Sequence, residues 1–125
     1  MPLVACMAQA DQLQERLITF AVSIVELSMQ LPRTPHGRHI SNQILRCGTA
    51  TAANYGEARA AESRLDFIHK LRIVLKELNE TAVWLQLIKR CALTSSANVA
   101  SIVAENEELC RIIGASVRTA RTSSQ

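Results

Sequence analysis

The sequence predicts an all-α domain, an antiparallel up-down-up-down four-helix bundle, and three observations carry that expectation. Apolar residues recur every three or four positions along four separate stretches, the period of a helix with one buried face. Aromatic residues make up only 3% of a chain that is 48% hydrophobic, so Leu, Ile, Val and Ala must fill the core, as they do in helical bundles. Four glycines and three prolines leave little turn material for the many short strands of a sandwich or barrel. At 125 residues the chain suits one domain spanning residues 1–125.

Helix 1 is expected over about 11–31. Leu13, Leu17, Phe20, Ile24, Leu27 and Leu31 form its stripe, Asp11 with Gln14 offers an N-cap, and Pro32 stops it. Thr34-Pro35 then supplies a capping hydroxyl and a proline suited to the first helical position, opening helix 2 over 35–57. Its face carries Ile40, Ile44, Cys47, Thr51 and Tyr55, and the small residues from Cys47 to Ala53 allow a neighbouring helix to come close. Ser63-x-x-Asp66 reads as a capping box opening helix 3, expected over 63–91, with Ile68, Leu71, Leu75, Leu78, Ala82 and Leu85 facing the core. No glycine or proline interrupts it, and at 1.5 Å per residue it is roughly 40 Å long. Thr94-Ser95-Ser96 forms the last turn, and helix 4 follows over 96–121 with Ile102, Leu109, Ile113 and Val117. Short connections favour antiparallel neighbours.

Met1 to Ala10 contains no lysine or arginine, and the longest apolar stretch, Leu17 to Leu31, is broken by Glu26 and two serines. Neither a secretory signal nor a membrane span is expected, which points to the cytoplasm. Cys6, Cys47, Cys91 and Cys110 form no C-x-x-C pair and are expected as reduced, inert core thiols.

A second stripe is the informative feature. Ile18, Val22, Val25 and Met29 lie opposite the first stripe of helix 1, and Leu65, Ile73, Val83, Trp84 and Leu87 do the same on helix 3. A helix in a monomeric bundle needs one apolar face, so a second face calls for another subunit, and these four residues of helix 1 are the candidate interface. Charge is also directional. No acidic residue lies between Glu26 and Glu57 or between Glu80 and Glu105, and the expected topology puts both gaps at one end. That end holds Arg33, Arg38, Lys89 and Arg90, with His36 and His39, in a chain of formal charge +3. These four cations are the candidate nucleic-acid contact.

Catalytic motifs are weaker. His36-x-x-His39 has no acidic or cysteine partner nearby, so no metal site is expected. Arg64 to His69 and Arg33 to His39 have the spacing of the basic pair in HEPN-type helical ribonucleases, although Leu65 replaces the polar residue usual after the arginine. No phosphate-binding glycine loop, nucleophile elbow or H-E-x-x-H pair is present, and no cofactor is expected. Asn54 and Glu57, one turn apart, are expected to close the helix 2 to helix 3 corner through a buried hydrogen bond.

The segment from Gln43 to Ala58 (QILRCGTATAANYGEA) resembles the helix 2 signature of the bacterial four helix bundle protein family, the proteins encoded in intervening sequences of 23S ribosomal RNA. Ser63 to Leu71 and Lys76 to Leu85 resemble its helix 3 signature. Arg46, Asn54, Glu57, Lys70, Glu77, Glu80 and Trp84 match the family pattern one by one over about residues 13–90. Ala50 and Gly56 depart from it, standing where a serine and an arginine are common. The resemblance implies an antiparallel four-helix bundle, with five-membered rings in several members and nucleic-acid association in a related branch. The combined expectation is a non-enzymatic homo-oligomer, with a pentamer favoured, that contacts RNA or DNA through its basic end. A HEPN-like ribonuclease and a purely structural protein partner are the alternatives.

Overall fold

The computed structural model describes residues 3–122, and these form four α-helices joined by short turns: α1 (Leu3–Gln30), α2 (Pro35–Arg59), α3 (Arg64–Arg90) and α4 (Ser96–Thr122). Among the described residues there is no strand, and no helix is long and apolar enough to cross a membrane.

The ends of α2 and α3 follow from local chemistry. Thr34 is extended and its Oγ1 accepts from Gly37 N at 3.2 Å, with Pro35 at the position where a missing N–H costs nothing. Ser63 caps α3 in the same way, accepting from Asp66 N at 3.0 Å. At the other end of α3, Ala92 takes φ 50° and Leu93 N donates back to Ile88 O at 3.1 Å, the left-handed close usually given to glycine.

The expected start of α1 at Asp11 is overturned. Leu3 to Ala10 continues the helix N-terminally, because the alanines there are strong helix formers and no breaker intervenes. Asp11 instead forms an ion pair with Arg59 of α2, Oδ1 to Nη2 at 2.7 Å.

Each helix packs on two neighbours, α1 on α2 and α4, and α3 on α2 and α4, so α1 and α3 stand diagonally across the core. Ser41 donates to Ser28 O (3.0 Å) and Arg59 to Gln14 Oε1 (2.6 Å), tying α2 to α1. Lys70 reaches Glu57 at 2.9 Å between α3 and α2. Asn106 of α4 donates to Leu78 O of α3 at 3.3 Å, and Arg16 of α1 grips Glu105 of α4 at 2.7 and 2.8 Å. Gln30 Oε1 accepts from Thr94 (3.4 Å) and Asn98 (3.3 Å), so the α1–α2 and α3–α4 junctions lie at one end of the molecule.

The core holds the expected lines of α1, α2 and α4, with one residue skipped by hydrophobicity alone. Asn106 is buried between Ile102 and Leu109, and its bond to Leu78 O satisfies it. On α3 the line differs from expectation. Leu75 and Ala82 are only half-buried, while Val74, Thr81 and Ile88 are buried beside Ile68, Leu71, Leu78 and Leu85. The line tilts because α3 packs more extensively on α2 than on α4. The small segment of α2 serves as expected: a Cβ on Gly48 would stand 2.7 Å from Ile24 Cγ2, so only glycine admits α1 so close.

Candidate functional site

Two junctions bring the basic residues together. Arg33 and Arg38 line one cleft of about 450 Å³ between the end of α1 and the start of α2, with Ser28, Met29, Ser41 and Asn42. Lys89 and Arg90 close α3 at the same end, where the Gln30 to Thr94 bond joins the two junctions. All four cations are exposed, and none forms an ion pair among the described residues. The two acid-free stretches coincide with this end, which leaves its field uncompensated.

His36 and His39 do not act together. His36 Nε2 lies 3.3 Å from Thr34 Oγ1, whereas the His39 ring meets Trp84 of α3 edge to face at 5.8 Å. Among the described residues no three His, Cys, Asp or Glu side chains are grouped to hold a metal ion.

A polar cluster on the α2–α3 seam gathers most of the motif residues. Arg46 pairs with Glu80, and its Nη1 lies 3.6 Å from Glu77 Oε2, a buried atom with no hydrogen bond. Trp84 Nε1 donates to Glu80 Oε2 at 3.1 Å, so one carboxylate holds both the guanidinium and the indole. Lower on the seam Glu57 raises the pKa of Lys70 by accepting its hydrogen bond. The expected corner bond is corrected in two respects. Asn54 donates to Ala50 O within its own helix (2.9 Å), and the Glu57 carboxylate that does cross to α3 is largely exposed. These contacts tie α2 to α3.

Within one subunit the Arg64 and His69 side chains project in different directions. Arg64 and His69 are five residues apart on α3, hence about 140° apart around the helix. Arg64 turns to Ala120 O at 3.3 Å, and His69 faces outward.

The cysteines differ from one another. Cys47 is buried beside Thr81 Oγ1 at 3.2 Å, and desolvation pushes its thiol pKa up, as it does for half-buried Cys110. Cys91 is exposed in the α3–α4 turn, so the expectation of a core thiol fails there, because the helix ends one residue earlier. The Cys6 side chain lies outside the described residues.

Residues 11–115 match the model of the 23S rRNA-intervening sequence protein family. The chain belongs to that family. The match extends past residue 90 into α4, beyond the span legible in the helix 2 and helix 3 signatures. No curated protein matches the chain. A solved structure from Bacteroides thetaiotaomicron, described as a protein with unknown function from the S23 ribosomal protein family, is similar at 38% identity and TM-score 0.79. The similarity covers 84% of this chain and 97% of that one.

Proposed function

We propose that this chain is a non-enzymatic, self-associating scaffold of the cytoplasm that binds RNA or DNA through its basic end. The observation that carries the binding is the set of four exposed cations, Arg33, Arg38, Lys89 and Arg90, which form no ion pair among the described residues and stand at the end that the two acid-free stretches share. The up-down-up-down arrangement behind that placement is supported by the cross-helix bonds, whose residue numbers rise on one helix as they fall on the next. Self-association is supported by the exposure of Ile18, Val22, Val25 and Met29, the last 78% exposed. Family membership favours five subunits. A ring sets the basic ends side by side and merges them into a continuous positive rim.

Such a rim contacts phosphates and reads no bases. Binding of labelled single-stranded RNA and duplex DNA, followed by anisotropy against salt, tests it. Affinity falls with log salt at a slope near 0.9 per phosphate neutralised on duplex and about 0.7 on single strands. Arg38→Glu with Arg90→Glu weakens binding and flattens the slope while leaving the oligomer intact. Absence of binding by the wild-type protein at about 50 mM salt overturns the proposal. Cleavage of the RNA, lost in Arg64→Ala and His69→Ala, would favour the ribonuclease reading instead.

A further inference from the structure

Helices α1 and α3 stand at opposite corners of the bundle, and each turns a line of exposed side chains to the outside. On α1 the line is Asp11, Glu15, Ile18, Val22, Val25 and Met29, all exposed, and on α3 it is His69, Arg72, Lys76, Asn79, Val83 and Leu87, also exposed. Both lines advance by threes and fours, the repeat that lets two helices interlock along their length.

Their charges are opposite. The outer side of α1 carries Glu15 and Glu26, and the helix's one basic residue, Arg16, is turned to Glu105 of α4. The outer line of α3 carries Arg72 and Lys76; of the helix's three acids, Glu77 and Glu80 are turned to Arg46 of α2 and half-buried Asp66 lies in the first turn, outside the line. Glu15, Glu26, Arg72 and Lys76 form no ion pair among the described residues. Pairing either line with its own copy sets like charges together when the helices run parallel and sets the charged end against the apolar end when they run antiparallel, which leaves α1 against α3 as the complementary match.

The levels also agree. Ile24 approaches the Gly48 backbone, and neighbouring Cys47 bonds Thr81, so Ile24 stands level with Thr81. Asp11 reaches Arg59, close to Glu57, which holds Lys70, so Asp11 stands level with Lys70. When two copies stand side by side without sliding, Glu15 is level with Arg72 and Met29 with Leu87. Acid then meets base at one end of the line and apolar side chains meet at the other.

We infer that copies of this chain associate head to tail, the outer line of α1 in one copy lying along the outer line of α3 in the next, in the same direction. The inference rests on the self-association reading and adds which surfaces meet. Because the two surfaces differ and sit on opposite corners, the contact repeats from copy to copy and closes into a ring when the rotation permits. Leu45 of α2, exposed, lies one turn from Ser41 and Gly48, which face Ser28 and Ile24 of α1, and so adds apolar area on the α1 side.

Size exclusion with light scattering on Val22→Asp and Val83→Asp tests the pairing. Each variant keeps one intact surface, so each alone is a monomer and the equimolar mixture forms a one-to-one dimer. A mixture that stays monomeric, or either variant running at wild-type size, overturns the inference while a wild-type oligomer still stands. A monomeric wild-type protein overturns both readings. Circular dichroism checks that the variants fold, and a surface charge exchange gives a second measurement that burial cannot confound. Glu15→Arg and Arg72→Glu each weaken association by about tenfold, and the double variant recovers it; additive losses in the double variant overturn the register.

Discussion

Helix α1 carries two apolar lines that differ little in composition and completely in surroundings. Leu17, Ile24 and Leu27 are wholly buried, whereas Val22 and Val25, on the opposite side, are 50% and 39% exposed. The same contrast recurs on α3 between Leu71, Leu78 and Leu85 and the exposed Leu65, Val83 and Leu87. Hydrophobicity thus marks both lines for burial, and the fold of a single chain satisfies only one of them. The inner lines supply stability within the subunit, and the outer lines stay exposed on it.

The largest test of that contrast is truncation. Leu78→Ala removes a fully buried side chain at the α3–α4 contact and should cost about 2 to 5 kcal/mol in chemical denaturation. Leu75, half-buried, should cost less. Val83→Ser, made in the Val22→Asp background so that association does not contribute, should change stability by less than about 0.5 kcal/mol. Similar losses at Leu78 and Val83 would erase the distinction between inner and outer lines.

A smaller effect separates the inner and outer sides of α2. Gly48→Ala drives a methyl group into Ile24 and should destabilise by about 1 to 3 kcal/mol. At Gly56 the added carbon meets only Gln14 Nε2 at 3.8 Å, so Gly56→Ala should stabilise by up to about 1 kcal/mol through helix propensity. Thermal melts of the two variants should therefore move in opposite directions, and equal shifts would mean α1 does not approach at Gly48. A gain of similar size is expected at the α3–α4 turn. Ala92 holds a left-handed conformation at φ 50°, and Ala92→Gly should raise stability by about 1 kcal/mol. A loss there would show that the turn is not held in that conformation.

Much of the fold was legible because local chemistry and tertiary packing agree. Thr34-Pro35 and Ser63 cap helices from within their own turns, so their sequence neighbours sufficed to place them. The α1 start differs from the local pattern because Asp11 has the chemistry of a cap and is used as a partner for Arg59, forty-eight positions away along the chain. Asn106 was passed over because it is polar, although its place in the 102, 106, 109, 113 spacing was the signal. Its burial depends on the carbonyl of Leu78, which no local pattern announces.

The candidate site divides in the same way. Arg33, Arg38, Lys89 and Arg90 were legible from the two acid-free stretches, since a missing opposing charge is a property of sequence. Their meeting at one end required the bond from Gln30 to Thr94. The roles of Arg46, Glu80 and Trp84 required the tertiary structure too, because one carboxylate shared by two donors exists only where α2 and α3 lie side by side.

Periodicity, capping residues and charge spacing, then, determined by themselves that this protein is four helices with two apolar lines on α1 and α3 and two basic stretches free of acid. These are short-range properties, readable within a few turns of chain. Tertiary structure alone decided which line of α3 is core, since its tilt follows from closer packing on α2 than on α4. It alone set α1 and α3 at diagonal corners, level with each other, because that placement is fixed by contacts such as Ile24 on Gly48 and Cys47 on Thr81, between residues distant in the chain.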